Sequence, residues 1–171
     1  LYEETEAWSS LIDMLNEKIE LTAEVGAQIV LHQRAARIRE ARLDDVDGAV
    51  DSLRNILELA PESRDALAGL ERIFEVESRW GDLVDLVESQ MESVGDDVAR
   101  ADALDLRVAA VMGAHLGQMA QAIERYADVL ERSPENADAR TAIEAALDIP
   151  EHRGAAARIL EEYLADRDAP E

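Results

Sequence analysis

Residues 44–61 read DDVDGAVDSLRNILELAP, and residues 117–134 read GQMAQAIERYADVLERSP. At a spacing of 73 the two strings pair Ala49 with Ala122, Leu57 with Leu130 and Pro61 with Pro134. Apolar residues recur at intervals of three and four in both, at Val46, Ala49, Val50, Leu53 and Leu57 and at Met119, Ala122, Ile123, Tyr126 and Leu130. That spacing lines one face of an α-helix. Proline then ends each helix, because it lacks a backbone donor and pushes the residue before it out of the helical region. The same helix with the same stop, twice, predicts a helical repeat protein.

The repeat extends in both directions. LYEETEAWSSLIDML (1–15) aligns with IFEVESRWGDLVDLV (73–87) at a spacing of 72, pairing Trp8 with Trp80, Leu11 with Leu83 and Asp13 with Asp85. After one extra residue the spacing becomes 73 and pairs Leu31 with Leu104, Arg34 with Arg107, Ala36 with Ala109, Leu43 with Leu116 and Glu71 with Glu144. A third copy starts near Ala146, where Gly154, Leu160 and Glu161 follow Gly81, Val87 and Glu88. Apolar spacing and the prolines predict helices over 3–22, 26–43, 46–59, 64–77, 80–94, 98–116, 119–132, 137–148 and 153–166. No one of these amphipathic helices buries enough surface to stand alone, so neighbours must stack into an array with local contacts. Leu1 and Tyr2 match Ile73 and Phe74, the last turn of a helix, so the Trp8 helix lacks its upstream partner. A piece cut from a longer array, with an apolar stripe able to form a homodimer through exposed terminal helices, is the expectation.

Composition agrees. Of 171 residues 47% are hydrophobic, six are aromatic, eight are glycine and four are proline, with Ala, Leu, Glu, Asp and Arg dominant, a helix-forming set. No cysteine is present, which removes disulfides, thiol nucleophiles and thiolate metal sites and leaves the compartment open, the cytoplasm favoured. Thirty-nine acids against seventeen bases give a formal charge of -22, which repels phosphate backbones and argues against nucleic acid. The acids are evenly spread, 16 in residues 1–72 and 16 in 73–145, as on a solvated surface. Uncharged runs fall short of a membrane span, so no membrane insertion is expected. Sixteen arginines to one lysine, with abundant Ala, Asp and Glu, look like a GC-rich bacterial genome.

The helix pairs resemble tetratricopeptide repeats, helix-turn-helix units of about 34 residues. In that register a partial repeat covers 1–29 and units cover 30–63, 64–102, 103–136 and 137–171. The small residue early in the second helix falls on Ala49, Leu83, Ala122 and Ala156, and the bulky residue four further on falls on Leu53, Val87, Tyr126 and Leu160. The family's closing proline is present at Pro61 and Pro134. Its early first-helix aromatic is replaced by Gln33, Leu67, Leu106 and Arg140, and its late one by Glu40, Phe74, Gly113 and Leu147. The resemblance implies an all-α, right-handed solenoid of antiparallel helix pairs over residues 1–171 that acts without catalysis or cofactor as a protein-interaction scaffold. A structural spacer or self-assembling array that contacts through its ends and edges is the alternative.

In the family certain first-helix positions face the concave groove. Here they fall on Leu31, Arg34, Ile38 and Arg42, on Arg72, and on Leu104, Arg107, Val111 and His115. The partner this implies is a protein or an acidic or carboxylate-ended peptide, which arginine grips bidentately. Against it stands pairing of Arg34 and Arg107 with neighbouring acids such as Asp105. The family's chaperone-tail clamp needs asparagines beside its basic residues, and none stands at these positions.

Catalytic patterns find little support. His32, His115 and His152 are far apart in sequence and form no metal-ligand pair on one helix. Asp44, Asp45, Asp96 and Asp97 precede helices, where carboxylates cap exposed amides. Gly113 and Gly117 lie inside and just after a helix and make no phosphate loop, and Ser9, Ser10 and Ser52 have no suitable histidine nearby in sequence. Trp8 and Trp80 read as wedges between helices, and Met14, Met91, Met112 and Met119 as core filling.

Overall fold

The computed structural model describes residues 2–168, which form nine helices and no strand. Leu1 and residues 169–171, which the first partial repeat and the unit 137–171 include, lie outside the described residues. The chain, expected as one array over 1–171, divides into two compact units, Leu1–Arg79 and Trp80–Glu171. The division falls immediately before Trp80, partner of Trp8 in the repeat.

In the first unit α1 (Tyr2–Leu21) packs on α2 (Val25–Leu43), α2 on α3 (Val46–Leu59) and α3 on α4 (Arg64–Val76). In the second, α5 (Trp80–Met91), α6 (Val98–His115), α7 (Met119–Arg132), α8 (Ala137–Ala146) and α9 (Arg153–Asp168) pack each on the next, and α7 also meets α9. Neighbour-on-neighbour packing is what a helical repeat requires.

The corners repeat as faithfully as the helices. The Asp45 amide donates to the Arg39 carbonyl at 2.9 Å, and the Gln118 amide donates to the Met112 carbonyl at 3.0 Å, both across the 73-residue spacing. Each bond closes a helix end whose intervening residue is left-handed, Asp44 at φ 54° and Gly117 at φ 67°. Glycine takes that conformation freely, and aspartate is among the few side chains that tolerate it. The proline stops match too. Amides of Ala60 and Ser133 donate to the carbonyls of Ile56 and Val129, each at 2.8 Å. Asp45, Asp97 and Asn136 cap α3, α6 and α8 by accepting from the amides of Gly48, Arg100 and Ala139. Asp44, expected with Asp45 as a helix-start cap, instead ends α2.

The four small positions, Ala49, Leu83, Ala122 and Ala156, are all buried. Around them the first unit buries Ile12, Leu15, Leu31, Ala35 and Ile38, with Trp8, Leu11, Ile19 and Leu43 packed against them. The second unit buries Ile123, Val129, Leu130, Ala139, Ile143 and Ala146.

Two expectations are corrected. Tyr2, matched to the last turn of an upstream helix, instead belongs to α1, which runs unbroken to Leu21, close to the predicted 3–22. In the second copy a break exists, with Ser78 at φ 55° and the Arg79 amide donating to the Phe74 carbonyl at 2.7 Å. Arg79 pins it there, 5.2 Å over the Phe74 ring and 2.7 Å from Asp47. Glu6 and Ala7 stand at the corresponding places, and both favour helix. Met14, read as core filling, is 66% exposed because it lies off the stripe of Leu11, Ile12, Leu15 and Ile19.

Candidate functional site

Of the nine residues assigned to a first-helix groove, Leu31 and Ile38 are buried between α1 and α2. They offer no binding surface: α2 is flanked by α1 and α3, so its apolar stripe is consumed by packing. Arg42 lies 5.3 Å over the Trp8 ring. Arg72 donates to Glu40 at 2.6 Å, a bond that holds its guanidinium pKa above the ordinary value. Arg34 is exposed and has no ion pair among the described residues.

In the second unit His115 stacks on Trp80, ring centroids 3.7 Å apart and planes 12° from parallel. Arg42 and His115 occupy matching places 73 residues apart, as Trp8 and Trp80 do at 72, so one stacking clamp is built twice. Leu104 and Val111 are half-buried, and Arg107 is half-buried and engaged. Each tryptophan thus makes its contact across a hairpin, Trp8 with α2 and Trp80 with α6.

Asp105, named as a partner for Arg107, is taken by other arginines. Arg132 donates to Asp102 at 2.7 Å and to Asp105 at 2.8 Å, and Arg125 donates to Asp105 at 3.2 Å and also to Glu88. The Ser133 hydroxyl completes the group by donating to Asp102. Both aspartates are buried, and these bonds, that to Asp105 first, raise the Arg132 pKa. Three carboxylates share two guanidiniums, so every charged group has a partner and the cluster ties α6 to α5 and α7.

The first unit solves the same place differently. Ser52, which corresponds to Arg125, is buried, accepts from Arg39 at 2.7 Å and donates to the Gly48 carbonyl at 2.9 Å. His32 is half-buried, and burial followed by the charge of Arg39 holds its pKa below 6.5, with Glu58 pulling the other way. Among the described residues no group of three His, Asp or Glu side chains is placed to hold a metal ion, and no helix is long and apolar enough to cross a membrane.

An open trough of about 640 Å³ lies between α7 and α9, second helices of successive pairs. Ala127, Leu130, Pro134, Ile159, Tyr163 and Ala165 supply its apolar lining. Leu130 belongs to the buried core, and Ile159 and Tyr163 pack against it, so the floor is an extension of that core. Tyr163 donates to the Pro134 carbonyl at 2.8 Å and fastens α9 to the end of α7. Around the rim stand Glu124, Asp128, Glu131 and Glu162 with Arg158, whose guanidinium lies 3.1 Å from Glu162.

This trough is not among the sites expected from the sequence. Its signal was present on α7, where Glu124, Asp128 and Glu131 recur at intervals of four and three beside Ala127 and Leu130. The α9 wall carried no comparable mark, since its place depends on how α9 approaches α7. Compared with protein-family models and with curated proteins, the chain matches none.

Proposed function

We propose that this protein is a non-catalytic scaffold of the tetratricopeptide kind, a helical array that holds a partner polypeptide. The family assignment is supported by the residues of 44–61 and 117–134 and by the burial of Ala49, Leu83, Ala122 and Ala156. The observation that carries the function is the α7–α9 trough. Its open apolar floor, continuous with a packed core, gives a partner a preformed surface. The first-helix residues suit this role less, because Arg42, Arg72 and His115 are spent on neighbours and Leu31 and Ile38 are buried.

Ala127→Trp fills the trough from a half-buried position on α7. With an unchanged helical circular dichroism spectrum, this variant should lose a partner that the wild-type protein captures. Capture at the wild-type level would remove the trough from the function.

The spacer reading has one observation of its own. Met14, Leu21, Val25 and Val30 leave apolar surface on α1 and α2, which suits contacts between copies. Association that grows with concentration in sedimentation and disappears with Met14→Lys and Leu21→Lys would favour it; a monomer at every concentration would dismiss it.

A further inference from the structure

We infer that the α7–α9 trough takes a cationic amphipathic helix from a partner protein, with apolar side chains set into the floor and lysines or arginines along both edges. The inference rests on the trough being the contact site, and adds to it the chemistry of the occupant.

Length comes first. Trough residues on α7 run from Glu124 to Glu131, about 10 Å at the helical rise, matching close to two turns of an incoming helix. Such a helix presents apolar residues at i, i+3 or i+4, and i+7 along one face, the pattern a linear apolar floor between two helices accepts. Leu130, Ile159 and Tyr163 make that floor, and the Tyr163 bond to Pro134 holds it in shape before anything binds. Little ordering is then needed on association.

Charge selects the partner. Among the described residues four carboxylates rim the trough against one guanidinium, and that guanidinium is already bound to Glu162. Glu124, Asp128 and Glu131 are exposed and have no ion pair among the described residues. An acidic or neutral helix laid there would leave these carboxylates close together, facing like charge or none. A cationic one neutralises them and is steered in by the field of a chain of charge -22. That same charge opposes a second copy of the chain as occupant.

Fluorescence anisotropy on the full chain tests this with three labelled helical peptides. The first carries leucines at i, i+3 and i+7 with lysines on both flanks, the second replaces the lysines with glutamates, and the third keeps the lysines but replaces the leucines with serines. The first should bind at least about tenfold more tightly than either other, a difference of about 1.4 kcal/mol. Glu124→Lys with Glu131→Lys, both at exposed positions, should reverse the preference between the first two peptides. Ala127→Trp should abolish binding of the first.

Equal binding of the first two peptides, both lost with Ala127→Trp, would overturn the cationic preference while leaving the trough as a contact site. Equal binding of the first and third would reduce the effect to general charge attraction and overturn the inference. Dimerisation of the protein abolished by Ala127→Trp would make a second copy the occupant and overturn it as well. Failure of every peptide, with partner capture also indifferent to Ala127→Trp, would remove the trough reading itself.

Discussion

Gly48 is placed by what surrounds it. A β-carbon there would collide with the Asp45 carboxylate that caps α3 and come within 2.9 Å of Arg39 Cδ, whose side chain reaches the Gly48 carbonyl. Gly81, in the first turn of α5, has nothing within 4 Å of the same added atom. Alanine is favoured over glycine in a helix by up to about 1 kcal/mol, and losing a cap costs about as much. Gly81→Ala should therefore raise the urea midpoint while Gly48→Ala leaves it unchanged or lower. A clear rise with Gly48→Ala would show that Asp45 does not matter to the start of α3. His32 gives a second test at this scale. Because its pKa is lowered in the folded chain, the unfolded chain takes up more protons as pH falls through 6.5. The stability linked to His32 is complete above 6.5 and is lost as pH drops from there towards the folded value. His32→Gln should shrink the fall in melting temperature between about pH 7.5 and about pH 5.5. An unchanged fall would mean that His32 stays as basic in the folded chain as in the unfolded one.

At the scale of helices, the two copies differ where charge enters the core. Arg39 and Ser52 join α2 to α3, while Asp105 and Arg125 join α6 to α7, with Ser52 and Arg125 at the same place in the repeat. Met112 occupies the counterpart of Arg39. Arg125→Ser removes a guanidinium from Asp105 and Glu88 and should cost about 1 to 3 kcal/mol. Adding Met112→Arg recreates the first copy's pair and should recover at least half of that loss in urea denaturation; a double variant no better than the single would show the two arrangements are not interchangeable.

Much of this was legible in sequence. Prolines and three-four spacing marked the helices because both act locally, and the predicted helix ends placed the corners at 44–45 and 117–118. The break at 78–79 and the unbroken helix through Glu6 were legible as well, in the predicted helices 64–77, 80–94 and 3–22; the contacts of Arg79 with Phe74 and Asp47 were not, since Asp47 lies 32 residues earlier in the chain. Leu31 and Ile38 were misplaced in the first-helix groove for a similar reason. Both have the spacing of either a groove or a core, and only the presence of α1 beside α2 decides between them. The trough went unseen because acids on a periodic face look like solvated surface until α9 supplies the other wall.

Across the whole chain, one quantity acts on folding and on binding with opposite sign. A formal charge of -22 on 171 residues makes the compact state repel itself, and exposed ion pairs such as Arg158 with Glu162 return little. Added salt screens that repulsion, so the melting temperature should rise between about 0.02 M and about 0.5 M sodium chloride. The buried carboxylates of Asp102 and Asp105, paired with Arg132, lose less to screening than exposed pairs do, so they should not reverse the trend. Binding of a cationic helix to the carboxylate rim must respond in the other direction, weakening over the same range as the attraction is screened. A chain that grows more stable with salt while it releases its partner would separate rim electrostatics from any loss of fold. If melting temperature and affinity fell together, unfolding alone would account for the loss of binding, and the rim carboxylates would have no part in it.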